Sequence, residues 1–293
     1  MIWPAIIRPL LVASVVVLLT ACSAVKLAYN NLPELGYWWI DGYADLGETQ
    51  SVQLRDDLAR LHEWHRANEL PQIADLLQQI QRDAPADTTA QDVCRFFDQV
   101  RERLDTASMQ AEAGAVTLAM SMTPAQIKHL EDKFAKGNAE WRRDWLSGDR
   151  AQRAERRLKS SVERAEQFYG SLDDKQRAVL QSGLARSSWD PQRSYTERLR
   201  RQQDLLQMLR TVSGASGTAR PAPQQVGALL RAYLTRTSRS SDPAHQTYAQ
   251  NAIQENCALY AQLHNSTSAA QRTRAVARVA AYERDAREVA RLP

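Results

Sequence analysis

The stretch His62-Glu63-Trp64-His65-Arg66-Ala67-Asn68-Glu69-Leu70-Pro71 holds the residue types a metal site needs. On a helix, His62, His65 and Glu69 fall on one face, and two imidazoles with a carboxylate suit zinc. His65 also continues the apolar stripe of Leu54, Leu58 and Leu61. A buried, hydrogen-bonded histidine satisfies that pattern without a metal, and no metal site is assigned. Trp141-Arg142-Arg143-Asp144-Trp145 sets two indoles on one face, beside guanidinium groups able to stack on rings or pair with carboxylates. This reads as core packing with a solvated basic edge. Arg153, Arg156, Arg157, Lys159 and Arg164 alternate with Glu155, Glu163 and Glu166, the mix of an exposed helix with i,i+4 pairs. A basic groove for acidic ligands or unfolded clients is the alternative. There is no Gly-rich phosphate loop, HExxH, GxSxG or CxxC, so neither a catalytic residue nor a cofactor is assigned.

The elements that carry these groups are helical. Gly and Pro number 11 each in 293 residues, and helix-forming side chains dominate the rest. Apolar residues recur at helical spacing. Examples are Val93, Phe97, Val100, Leu104 and Ala111 on a helix from about 89 to 120; Ile127, Leu130, Phe134, Trp141 and Trp145; and Ile253, Cys257, Tyr260 and His264. Thr123-Pro124-Ala125-Gln126 has the form of a capping box, and Thr88…Gln91, Asp173…Gln176 and Ser268…Gln271 repeat its spacing. The expected fold is all-α, a bundle or array of eight to ten helices with no sheet. The Ser/Gly/Ala/Pro stretch 213–223 reads as a linker between a main helical body over 49–212 and C-terminal helices over 224–293 packed on it.

The N-terminus runs Arg8, an apolar segment Leu10–Leu19, then Thr20-Ala21-Cys22. That run is too short to span a bilayer and has the form of a removed signal segment. The ending Leu19-Thr20-Ala21-Cys22 resembles the lipobox of bacterial lipoproteins. The resemblance implies cleavage between Ala21 and Cys22, acylation of Cys22, and a mature chain anchored in a membrane through that residue. Ser23 implies export to the outer membrane, periplasmic face, of a Gram-negative bacterium. Removing residues 1–21 leaves 37 basic against 34 acidic side chains, an excess too small and dispersed for a nucleic-acid partner. Two cysteines then remain, Cys94 and Cys257. In an oxidising periplasm they can form a disulfide, which would place the first long helix beside a late one; two separately buried thiols are the alternative.

Residues 22–48 are aromatic-rich: Tyr29, Tyr37, Trp38, Trp39, Ile40 and Tyr43 carry too much apolar surface for a solvated tether. They either pack on the bundle or sit at lipid headgroups or a partner, with Tyr37, Trp38, Trp39 and Tyr43 as the contact residues. Leu27-Ala28-Tyr29-Asn30-Asn31, Trp38-Trp39-Ile40-Asp41-Gly42-Tyr43, Trp64-His65-Arg66 and Glu69-Leu70-Pro71 together resemble an uncharacterised family of helical proteobacterial lipoproteins, a domain of unknown function. Met122-Thr123-Pro124-Ala125-Gln126 and Leu172-Asp173-Asp174-Lys175-Gln176 are more distantly similar to the motif of the LTxxQ periplasmic stress chaperones, departing from it at Met122 and Asp173. The expected role is a non-enzymatic envelope interaction or structural module with an envelope protein partner. The alternatives are a chaperone-like binder of unfolded envelope proteins and an enzyme on cell-wall or lipid substrates.

Overall fold

A computed structural model describes residues 26–214 and 219–291. Cys22, Ala21 and the rest of the signal-like segment lie outside the described residues, as do 215–218 within the linker. Among the described residues there is no strand, and twelve α-helices are present. They are α1 (Leu32–Ala44), α2 (Glu48–Trp64), α3 (Leu70–Asp83), α4 (Ala90–Gln110), α5 (Glu112–Ser121), α6 (Pro124–Trp145), α7 (Arg150–Tyr169), α8 (Asp174–Arg186), α9 (Pro191–Val212), α10 (Pro223–Ser238), α11 (Pro243–Asn265) and α12 (Ala269–Ala290). Lys26–Asn30 are also helical. No described helix is long and apolar enough to cross a membrane.

The count slightly exceeds eight to ten because two long helical stretches are interrupted. The expected helix over 89–120 breaks at Ala111 into α4 and α5. Between α2 and α3 the chain stays helical but widens into a π segment over His65–Glu69. The cause is Pro71, which lacks an N–H and whose ring would strike the carbonyl four residues back in a regular α-helix. Leu70 N–H accordingly bonds back to His65 O.

Three of the four expected capping boxes form, at Thr123, Asp173 and Ser268. The fourth is shifted by one residue: Thr89, not Thr88, caps α4, exchanging bonds with Asp92 rather than Gln91. Thr88 is otherwise engaged. Its N–H and C=O both pair with the Asn265 side-chain amide at 2.9 Å, at the end of α11.

Two buried clusters form the interior. The first joins Ala44 of α1, Ala119 of α5, Ile127 and Leu130 of α6, Leu206 and Val212 of α9, and Val226 and Leu230 of α10. The second joins Val162 and Ala165 of α7, Leu172, Leu180 of α8, and Leu259 and Leu263 of α11. Val212 and Val226 flank the linker yet share one cluster. The two sides of the linker therefore belong to one core, and Arg220 Nε donates to Ser213 O at 3.0 Å. The C-terminal helices do not form a separate unit. Helix α10 lies on α5 and α9, α11 on α4 and α8, and α12 on α3 and α7.

Candidate ligand cleft

Three helices each turn an i, i+3/i+4, i+7 face toward one hollow of about 560 Å³. Helix α4 supplies Phe97, Arg101 and Leu104; α7 supplies Arg157, Ser161 and Arg164; α11 supplies Ile253, Asn256 and Tyr260. Trp145 at the end of α6, Leu184 on α8 and Trp189 in the following loop complete it. The size is that of a small-molecule site. The rings pair across it, Phe97 with Tyr260 at 6.2 Å and Trp145 edge-on to Trp189 at 5.9 Å between centroids. A second hollow, of about 920 Å³, shares Trp145, Arg157, Leu184 and Trp189 and is also bordered by Asp144, Glu155 and Asp190.

Arg157 stands where the two hollows meet. Its guanidinium lies 4.7 Å from the Trp189 ring centre and donates to Leu184 O at 3.1 Å and Ser187 Oγ at 3.0 Å. These acceptors are neutral. Burial holds the Arg157 pKa below its ordinary value, while Tyr248 and Glu255 pull the other way. Arg164 donates to Ser160 O and Oγ of its own helix, both at 3.1 Å, and Arg101 has Asp98 at 3.5 Å on α4. No carboxylate lines the smaller hollow. Three guanidinium groups thus stand among exposed apolar side chains, with Leu104 the most open at 63 %.

Helix α4 is the less secure wall. None of its residues is fully buried. It is joined to α11 by Cys94–Cys257, whose Cα atoms are 5.4 Å apart, and by the Thr88–Asn265 pair. Arg103 of α4 also approaches the buried Glu69 carboxylate at 3.8 Å, and Glu69 Oε2 accepts no hydrogen bond.

The other residues singled out by sequence lie elsewhere. His62 and His65 hold Tyr29: the Tyr29 hydroxyl meets His65 Nδ1 at 2.9 Å, and His62 Nε2 meets Tyr29 O at 3.0 Å. Burial pushes the Tyr29 phenol up to about 12 and lowers both imidazoles. Among the described residues no group of side chains is arranged to hold a metal ion. Trp141 stacks on Tyr195 at 5.4 Å, while Arg142 and Arg143 are exposed. Arg153 and Arg156 donate to carbonyls of the loop before α7. Tyr37 donates to Ser51 Oγ at 3.1 Å under the Arg55 guanidinium, and Tyr43 packs near Phe134. Trp38 and Trp39 are 60 % and 66 % exposed. They share the outer face of α1 with exposed Leu32 and Leu35.

The model of a family of unknown function, DUF6279, matches residues 42–218. The chain belongs to that family. The DUF6279 match takes in α2 through α9, and so two of the three cleft helices' worth of wall (α4 and α7) with Trp145, Leu184 and Trp189; α11 lies beyond it. No curated protein and no solved structure matches the chain significantly.

Proposed function

We propose that this DUF6279 protein is a non-enzymatic interaction module, lipid-anchored through Cys22 at the periplasmic face of the outer membrane and seated against the bilayer for an envelope protein partner. The observation that carries this reading is the absence of slack after the anchor position. Lys26 already forms ion pairs with Glu288 and, at 3.7 Å, with Asp285 of α12. Three residues on, Tyr29 is clasped by His62 and His65. Four residues from Cys22 to Lys26 reach about 14 Å at most. An acyl group on Cys22 would therefore hold the helical body near the headgroups. The Leu32–Leu35–Trp38–Trp39 face supports this, since amphipathic rings favour that zone.

Metabolic labelling with an alkyne fatty acid, followed by membrane fractionation, tests the reading. Label on the wild type, loss of it in Cys22→Ala, and outer-membrane recovery are the expected results. An unlabelled chain, or a Cys22→Ala variant processed and recovered with the outer membrane like wild type, would overturn it. Photo-crosslinkers at Trp38 and Trp39 would then identify what the exposed face meets.

A further inference from the structure

We propose that the cleft between α4, α7 and α11 binds a membrane-derived anionic lipid, with its phosphate on the arginines and an acyl chain along the apolar wall. This goes beyond the anchoring reading and depends on it only for the supply of lipid. The argument is one of donors and acceptors. The lining offers the guanidinium groups of Arg157 and Arg164, together with Arg101 beside its helix neighbour Asp98, and includes no carboxylate. A polypeptide brings one N–H for every C=O, and its N–H groups would find few acceptors here. A phospholipid brings acceptors alone, joined to a chain that needs no partner beyond apolar contact. Guanidinium groups suit phosphate because their N–H pairs match its oxygens.

The apolar side matches. Phe97 and Leu104 on α4 line the cleft with Ile253 and Tyr260 on α11, and all four remain exposed. Arg157 supplies the second half of the argument. It is half-buried on the Trp189 ring, hydrogen-bonded to a carbonyl and a hydroxyl, and has no ion pair with a carboxylate among the described residues. A half-buried cation with neutral partners gains most from an incoming anion.

The test uses the mature chain from residue 22 with Cys22→Ala, so that no acyl group of its own competes, and native mass spectrometry with Trp emission as the readout. The probe is long-chain lysophosphatidylglycerol; lysophosphatidylcholine of equal chain length carries no net charge and serves as the comparison. Saturable binding is expected, with lysophosphatidylcholine, Arg164→Gln and Leu104→Glu each weakening it about tenfold. Both substituted side chains are exposed, and unchanged circular dichroism would confirm the fold. No saturable binding, equal binding of the two lipids, or full binding by Leu104→Glu would overturn the proposal. So would carboxymethylated unfolded casein binding in lysophosphatidylglycerol's place with the same sensitivity to Leu104→Glu, which would mark a polypeptide site. Because this chain carries no anchor, a negative result here leaves the Cys22 labelling experiment unaffected, and the reverse holds.

Discussion

Removing the Cys94–Cys257 link by the paired substitutions Cys94→Ala and Cys257→Ala tests how α4 is held. The link joins positions 163 residues apart. Closing a loop of that length in the unfolded chain is worth about 5 kcal/mol in the chain-entropy description. Alanine avoids placing a hydroxyl at position 257, which is fully buried. For a body of this length the loss corresponds to a fall in melting temperature of about 9 °C. The structure adds a local consequence. Helix α4 buries none of its residues fully, so without the link it is held by partial burial, the Phe97–Tyr260 ring contact, two Thr88–Asn265 hydrogen bonds and the Arg103–Glu69 approach. Each such neutral hydrogen bond contributes about 1 kcal/mol. Amide exchange over 90–110 should therefore accelerate before the rest of the body opens. Reduced wild type keeps both sulfur atoms and should reproduce the effect. A melting shift under about 2 °C with unchanged exchange over 90–110 would refute the reasoning, because packing alone would then hold the helix.

Three further outcomes follow from the same contacts. Trp38→Ala with Trp39→Ala should move the melting temperature by less than about 2 °C, since surface substitutions cost little, yet weaken liposome binding by the unlipidated chain; a large stability loss would place these rings in a packed interface. Gln176→Ala should cost about 3 kcal/mol in urea unfolding, because a fully buried amide is lost that bonds Asp173 N, Ser266 O and the Gln271 side chain. The clasp on Tyr29 should loosen in acid. Burial lowers both imidazoles, with Arg66 also acting against His62 while Glu63 and Glu69 oppose the shift. The unfolded state then binds more protons, so the contribution is complete above the ordinary histidine value of about 6.5 and fades as pH falls below it. Amide protection near residue 29, taken relative to the intrinsic exchange rate at each pH, should fall below that pH, and a flat protection profile would sink the assignment.

Helical periodicity identified nearly every helix, because it reports which residues share a face. It does not report what that face meets. Phe97, Val100 and Leu104 have the spacing of a core stripe, yet they border an open cleft, since α4 lies at the edge with α11 as its main neighbour. Arg157 and Arg164 stood out only as members of a charged run. Nothing local distinguishes them from Arg153 or Arg156, whose partners are loop carbonyls. Thr88 and Thr89 carry equivalent capping chemistry in sequence, and Asn265, 177 residues away, decides between them. Trp38 and Trp39 have neighbours, Ile40 and Tyr43, that do pack on the first cluster. Ile40 and Tyr43 turn to the cluster while Trp38 and Trp39 lie on the outer face, so a single aromatic segment serves both core and surface.

The two segments that resemble the LTxxQ motif are explained by a structural device used twice. Met122 and Leu172 are each 5 % exposed, Thr123 and Asp173 cap the following helices, and Gln126 and Gln176 are buried. Each glutamine then reaches a helical hairpin. Gln126 bonds Asp45 O at 2.8 Å and the Gln50 amide at 2.6 Å, between α1 and α2; Gln176 bonds Ser266 O at 3.1 Å and the Gln271 amide at 2.7 Å, between α11 and α12. Gln50 and Gln271 occupy the third position of their own helices. The motif thus joins the starts of two helices, and its capping residues and both glutamine amides bond within the body. That gives the likeness a structural cause within the body itself. Two turns further along each helix the copies diverge. Phe134 is covered by the ring of Tyr43, 6.1 Å away, whereas Leu184 borders the cleft beside Arg157 and Trp189. Leu184 packs on the second cluster and also forms part of the cleft wall. That makes the arginine-lined surface, rather than the motif, the place to look for activity.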